Sequence, residues 1–264
     1  MTGLVKAGQG SLLTQAKQCL INKTIMQRKF PFIVGKIYHI YNRGVAKCPI
    51  SNQEADCWRF LQGLCLFNDI KSATNILWQL EKTRGRLTLR VLKNYIVKEG
   101  EKRKPLVRIL AYCIMPNHFH LLVEEIQEGG ISKFMQKLDQ GYAKYFNNKY
   151  KRVGHLWQNR FKSILIDDER YLLYLLVYIN VLNPAGLMEP NWKERGIKDI
   201  ENILELAKKY QWSTHQDYLG KRGSLIIDKG ILGKILPTPE KYLDLVKTVL
   251  EEKKYEEIIP LTLE

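Results

Sequence analysis

The sequence predicts an α+β fold in which an antiparallel sheet is covered by helices. Strand-like and helix-like patterns follow each other in the order strand, helix, strand, strand, helix, strand, helix. The second and third strands are separated by Pro116 and Asn117, so we expect them to pair as a hairpin. Helices interleaved with such a hairpin are typical of the split α+β arrangement.

The first half of this pattern runs to the end of the hairpin. Residues 36–41 alternate and are rich in aromatic and β-branched side chains, which predicts a strand, and residues 42–44 form a turn signal. Apolar residues near helical spacing predict a helix over 52–67. The hairpin strands are predicted at 107–115 and 119–124.

The second half contains two helices and the last strand. A helix is predicted over 131–150 and a strand over 161–166. The acidic residues 167–169 suit the N-terminus of the next helix. This helix should end near Leu182, because Pro184 disfavours helical geometry in the residue before it.

The chain length, 264 residues, is enough for one large domain with extensions. We expect an N-terminal extension at 1–30, a central domain at 31–188 and a mostly helical C-terminal extension at 189–264. A basic insert at 70–106 interrupts the central domain.

The charge of the chain points to a polyanionic partner. The formal net charge is +15 and the pI is about 9.5, which favours nucleic acid, although a generally basic protein is the alternative. The stretch 133–162 has Asp139 as its one acid and is either a solvated helix face or a track for phosphates, with Trp157 or Phe161 near unpaired bases. The candidate DNA contacts are Arg43, Lys133, Lys137, Lys144, Trp157, Arg160 and Lys162.

The cysteines and the apolar runs indicate an intracellular protein. Five cysteines without a CxxC pair argue against a zinc ribbon and suggest reduced thiols. The longest apolar run, 171–179, is too short to span a bilayer. We therefore expect a soluble, cytoplasmic protein with no membrane partner.

Two histidines in the segment MPNHFHLLVE carry the sharpest local signal. On a strand, His118 and His120 project from the same face, where each can give a metal ion one nitrogen. Two ordinary surface histidines are the alternative. Metal-binding histidines usually need a further hydrogen-bond acceptor that sets their tautomer.

Three tyrosines in the last predicted helix are candidates for a nucleophile. Tyr171, Tyr174 and Tyr178 share one helix face, a pattern that usually marks core packing. A tyrosine can nevertheless attack a phosphodiester as a phenolate. Because its ordinary pKa is about 10, a nearby metal ion would assist.

Five stretches of the chain resemble, in the same order, the single-tyrosine HUH transposases, in particular the REP-associated tyrosine transposases. They are YHIYNRG (38–44), YCIMPNHFHLLV (112–123), GHLWQNRF (154–161), YINVLNP (178–184) and WSTHQDYLG (212–220). Together they cover roughly residues 31–220.

The resemblance implies a ferredoxin-like catalytic domain that cleaves and rejoins single-stranded DNA. His118 and His120 would hold Mg²⁺ or Mn²⁺, and Tyr178 would attack the phosphate, keep the 5′ phosphate and release a 3′ hydroxyl. Relatives recognise imperfect palindromes folded into hairpins, and they are dimers or monomers.

One position departs from the family pattern. An amide residue is expected four residues after the tyrosine, but position 182 is leucine and Asn183 follows Tyr178 by five. We predict a widened last turn, a π-bulge, that swings the Asn183 amide toward the two histidines. Otherwise Asn183 merely caps the helix, and the third ligand is water, Glu124 or another side chain.

Two other functions are compatible with the sequence. The first is a domesticated nucleic-acid-binding protein that keeps the fold but has lost cleavage, as the departure at Leu182 would allow. The second is an unrelated metallohydrolase that uses His118, His120 and a carboxylate such as Glu124. A covalent protein–oligonucleotide adduct would separate these alternatives from a transposase-like enzyme.

Overall fold

The computed structural model of the protein describes residues 31–71 and 103–253. The predicted N-terminal extension and most of the basic insert therefore lie outside the described residues. Within the described ranges, none of the helices has the length and hydropathy needed to cross a membrane.

Four strands form one antiparallel sheet. They are β1 (Ile37–Arg43), β2 (Val107–Ile114), β3 (His118–Glu125) and β4 (Lys162–Ile166), in the spatial order β2-β3-β1-β4. A short 3₁₀ turn, Val45–Lys47, follows β1.

Two long helices connect these strands. Helix α1 (Glu54–Phe67) lies between β1 and β2, and α2 (Gly130–Tyr150) lies between β3 and β4. This connectivity and strand order are those of a ferredoxin-like fold. The predicted α+β fold is confirmed.

The strand register decides which residues share a face of the sheet. Tyr41 lies opposite His120, and Arg43 lies opposite His118. Directly opposite residues of an antiparallel pair project to the same side, so these four side chains lie on one face. The other face carries Phe119, whose ring packs against Phe60 of α1 at a centroid distance of 5.0 Å.

The helical segment after β4 is not broken, but its backbone hydrogen-bond pattern changes from α to π. Helix α3 (Glu169–Val177) is capped by Asp168, whose side chain accepts a hydrogen bond from the Tyr171 N–H. A π turn over Tyr178–Leu182 follows, and the short helix α4 (Asn183–Ala185) completes the segment.

The rest of the described chain forms further helices. Its elements are α5 (Trp192–Arg195), α6 (Ile200–Lys209), α7 (His215–Tyr218), α8 (Gly230–Ile235) and α9 (Pro239–Glu251). Its apolar residues join those of α3 and the adjacent face of the sheet in one hydrophobic core.

The WSTHQDYLG segment attaches this extension to the edge of β2. The Ile114 N–H donates to the Trp212 carbonyl at 2.9 Å, and the Thr214 N–H donates to the Tyr112 carbonyl at 3.1 Å. The Tyr218 hydroxyl donates to the Leu110 carbonyl at 3.0 Å. The segment thus satisfies backbone groups that an open sheet edge would leave exposed.

Candidate active site

The two histidines of the HFH motif lie side by side on one face of β3. Their ring centroids are 5.1 Å apart and their planes are perpendicular. His120 is buried and His118 is half-buried. The alternation that predicted a shared face is therefore confirmed, since Phe119 between them packs on the opposite side.

Each of these rings has its Nδ1 in a hydrogen bond. His118 Nδ1 lies 2.6 Å from Asn117 Oδ1, and His120 Nδ1 lies 2.8 Å from His39 Nε2. Because Nδ1 is engaged in both rings, Nε2 is the nitrogen through which either would bind a metal ion.

His39 is a site residue that the sequence reasoning missed. It is fully buried on β1, and its ring stacks on His120 with a centroid distance of 5.1 Å. The signal was present in the first matched stretch, YHIYNRG, where His39 alternates with Tyr41. What the sequence lacked was the strand register that brings β1 and β3 together.

Tyr178 meets the histidines from the helical side. Its ring lies edge-on to that of His120, with centroids 5.5 Å apart and an interplanar angle of 87°. The side chain is fully buried, with the Trp192 ring 6.2 Å away. The Lys193 ammonium donates to the Tyr178 hydroxyl at 3.3 Å.

The predicted widening of the helix after Tyr178 is confirmed. The Asn183 N–H donates to the Tyr178 carbonyl, an i to i+5 bond that defines a π turn. The approach of the Asn183 amide to His118 and His120 stays a prediction. The Asn183 side chain is buried, and its Nδ2 has no hydrogen-bond partner among the described residues.

Asn180, the other amide near the tyrosine, belongs to a separate buried network. Its Nδ2 donates to the Tyr242 hydroxyl at 3.1 Å, and its Oδ1 accepts from the Thr214 hydroxyl at 2.6 Å. His215 Nδ1 lies 2.8 Å from the same Tyr242 oxygen, and burial lowers the pKa of His215 to about 4. This neutral network ties the π turn to the C-terminal extension.

A polar cleft of about 460 Å³ opens beside His118. Basic and amide side chains dominate its wall, and among the described residues that line it Glu194 is the one acid. The cationic lining residues are Arg43, Lys47, Arg160, Lys162 and Lys193, and the amides are Asn42, Asn117, Gln158 and Asn159. Such a wall favours phosphate oxygens.

The loop before β4 carries part of this wall and is bound to the end of β1. The Gln158 N–H donates to the Arg43 carbonyl at 2.9 Å, and the Asn42 side chain donates to the Asn159 carbonyl at 3.1 Å. The Arg43 guanidinium in turn donates to the Gln158 side chain. These bonds bring Arg160 to the cleft.

The predicted DNA contacts fall into two groups in the structure. Arg43, Arg160 and Lys162 line the cleft. Lys133, Lys137 and Lys144 lie on α2, the helix that packs with α1 over the Phe119 face. The single track of phosphates expected along 133–162 is therefore divided between two layers.

Trp157 also belongs to the layer of α2. Its ring packs edge-on against Phe119 at 5.4 Å and lies 6.0 Å from the Tyr142 ring. Its Nε1–H donates to the Asp139 carbonyl at 3.0 Å. The half-buried indole is thus engaged in packing beneath the sheet rather than in the cleft.

Glu124 is held away from the histidines. Its carboxylate accepts a hydrogen bond from the Arg108 guanidinium at 2.6 Å, which raises the pKa of Arg108. Glu124 lies four residues beyond His120, roughly 13 Å along a strand. The metal set of His118, His120 and Glu124 required by a metallohydrolase is therefore not formed.

Residues 82–181 match the family model described as "Transposase IS200 like". The match confirms a resemblance to transposases over a stretch that includes His118, His120 and Tyr178.

A solved structure of a REP-associated tyrosine transposase bound to a REP hairpin is similar to this chain at 13% identity, with a TM-score of 0.41. The similarity covers 77% of this chain and 94% of that one. None of the curated proteins compared with the chain matches it.

Proposed function

We propose that the protein is a metal-dependent single-stranded DNA endonuclease and strand transferase. In this reaction Tyr178 forms a 5′-phosphotyrosine at hairpin or palindromic DNA. The observation that carries the proposal is the edge-on contact of Tyr178 with His120, next to His118 and the basic cleft. The transposase family match over these residues supports it.

DNA binding is assigned to the cleft. Arg43, Arg160 and Lys162 would neutralise backbone phosphates, and guanidinium groups can do so with paired hydrogen bonds. The amides of the wall offer donors and acceptors to unpaired bases. A single strand leading from a hairpin is the substrate that such a polar, positively charged wall favours.

The residues around His120 fit a divalent metal ion. Nε2 of His118, Nε2 of His120 and the side-chain oxygen of Asn183 would hold Mg²⁺ or Mn²⁺. Among the described residues no group of three or more His, Cys, Asp or Glu side chains could hold a metal, so Asn183 is proposed as the third protein ligand, with water as the alternative. When bound, the ion would polarise the scissile phosphate and stabilise the leaving oxygen.

The hydrogen bond to His39 is compatible with the tautomer of His120 that such a site requires. For His120 Nε2 to present a lone pair, its Nδ1 must carry the proton and donate to His39 Nε2. Asn117 Oδ1 is an acceptor only, so it imposes the same tautomer on His118. Both rings are thus set to bind through Nε2.

One observation favours a second function. Tyr178 is fully buried, so a phosphate can reach its hydroxyl only after a local rearrangement. A protein that binds DNA in the cleft without cleaving it, the domesticated alternative, would tolerate this burial. The two functions share the fold and the basic cleft and differ in one product, the covalent adduct.

The decisive experiment is a covalent trapping assay on the full-length protein. A pool of hairpin oligonucleotides with randomised single-stranded flanks would be incubated with Mn²⁺ or with EDTA and then resolved on a denaturing gel. We expect a metal-dependent adduct whose peptide maps to Tyr178. Hairpin binding without any adduct would establish the binding protein instead.

A further inference from the structure

The C-terminal extension contributes a cation to the proposed site. Lys193 lies on α5, and its ammonium donates to the Tyr178 hydroxyl at 3.3 Å. The same nitrogen lies 5.5 Å from the centroid of the Tyr178 ring and 5.9 Å from that of Trp192. Two aromatic rings therefore favour the position of this charge.

Lys193 also belongs to the wall of the cleft, whereas the Tyr178 side chain is fully buried. The lysine thus touches the buried hydroxyl and the space where a phosphate would bind. An anionic phosphodiester in the cleft can contact this ammonium next to the tyrosine oxygen. Lys193 is half-buried, so solvent screens the attraction of its ammonium for phosphate less than it would screen that of a fully exposed charge.

We propose that Lys193 is a further catalytic residue, which draws the scissile phosphate to the Tyr178 hydroxyl and stabilises the charge on the reacting group. This role rests on the proposed function of Tyr178. The C-terminal extension would then contribute to the reaction as well as to the fold.

The step assigned to these residues is balanced. The Tyr178 oxygen forms a bond to phosphorus while the bond from phosphorus to the 3′ oxygen breaks. The tyrosine proton passes to solvent, and the leaving 3′ oxygen takes a proton from solvent. Lys193 keeps its protons and provides hydrogen bonds and charge, and nothing is oxidised or reduced.

The test compares covalent and bound fractions of the randomised hairpin pool on the full-length protein. In Lys193→Met we expect the covalent fraction to fall about 100-fold, the usual loss when one preorganised donor is removed. The bound fraction should change less than threefold. Lys193→Arg, which retains a cation and donors, should recover at least a tenth of the wild-type adduct.

Lys47→Met is the matched control, because Lys47 lines the same cleft. Its covalent and bound fractions should fall in the same proportion. The melting temperature of each variant identifies a folding defect. If Lys193→Met is unstable, the ratio of covalent to bound DNA in Lys193→Arg and Lys193→Gln tests the role of Lys193 instead.

Two results would overturn the role of Lys193. In one, Lys193→Met keeps the wild-type ratio of covalent to bound DNA. In the other, the Arg variant folds but is as inactive as Met. A wild-type protein that forms no adduct at all would overturn the proposed function together with this role, so the two failures are distinguishable.

Discussion

The two faces of β3 carry different kinds of side chain, apolar on one face and histidine on the other. On one face Phe119 packs against Phe60 and Trp157, and burial of apolar surface stabilises the contact. On the other face His118 and His120 are polar groups whose burial costs free energy unless hydrogen bonds offset it. The difference shows that alternate residues of one strand separate the core from the candidate chemistry.

The layers that cover these faces differ in the same way. Long helices α1 and α2 cover the apolar face. The histidine face is covered by the π turn and by the C-terminal extension, which supplies Lys193. The extension was expected only to be mostly helical, and in the structure it supplies a contact to the candidate nucleophile.

The largest expected effect is on the histidine side. Tyr178→Phe removes the attacking oxygen and should lower adduct formation by at least about 1,000-fold, because no other group replaces a nucleophile. Binding of the hairpin pool should stay within threefold of wild type, since the ring still fills its place beside His120. Gel trapping and filter binding measure the two quantities.

Tyr171→Phe is the control for this prediction. Tyr171 lies on α3, two helical turns before Tyr178, and burial raises its pKa to about 12. This variant should keep the adduct. An adduct that persists in Tyr178→Phe, or maps to Tyr174, would show that Tyr178 was wrongly assigned.

A second experiment contrasts the two faces directly. Phe119→Ala should lower the free energy of unfolding by roughly 3–5 kcal/mol, the usual cost of a large cavity in a core. His118→Ala and His120→Ala should instead remove metal-dependent cleavage and leave the chain folded. Denaturant unfolding and the trapping assay give both readings for each variant.

The contrast between the faces would fail if the histidine variants unfolded like Phe119→Ala. It would fail equally if cleavage by wild type proceeded in EDTA. The first result would mean that the histidine face stabilises the fold, and the second would mean that cleavage does not depend on a metal ion.

The sequence predicted the parts of this comparison that depend on local order. Alternation placed both histidines on one face, and the five-residue offset between Tyr178 and Asn183 predicted the π turn. These features follow from strand periodicity and from the extra residue before Pro184.

The parts that the sequence did not predict depend on contacts between distant residues. His39 meets His120 through the register of β1 with β3, and Lys193 meets Tyr178 through packing of the extension. Trp157 was expected near unpaired bases, but whether a loop aromatic faces a core or a ligand is decided by its neighbours, here Phe119.

A third prediction concerns His39. In His39→Phe the acceptor for His120 Nδ1 is lost, and Mn²⁺ affinity should fall about 10- to 100-fold, as is usual when the partner of a metal-binding histidine is removed. His39→Gln retains an acceptor oxygen and should recover part of that affinity. Isothermal titration with Mn²⁺ measures this without any DNA.

The control for His39 is another buried histidine. His215→Phe breaks the bond to Tyr242 but leaves His120 untouched, so Mn²⁺ affinity should match wild type. Equal affinities in the His39→Phe variant and wild type would mean that the His39–His120 bond has no part in metal binding.

The smallest expected effect concerns DNA binding by basic residues in the two layers. Arg160 lines the cleft on the histidine side, whereas Lys144 lies exposed on α2 over the apolar face. Arg160→Ala should weaken hairpin binding about three- to tenfold and reduce the slope of log affinity against log salt by about one, because one phosphate contact is lost.

Lys144→Ala removes the same unit of charge at a distance from the cleft, where salt screens it within about 10 Å. Its affinity and slope should therefore stay close to wild type. Binding curves at several salt concentrations test the pair, and equal losses in both variants would restore a single phosphate track that spans both layers.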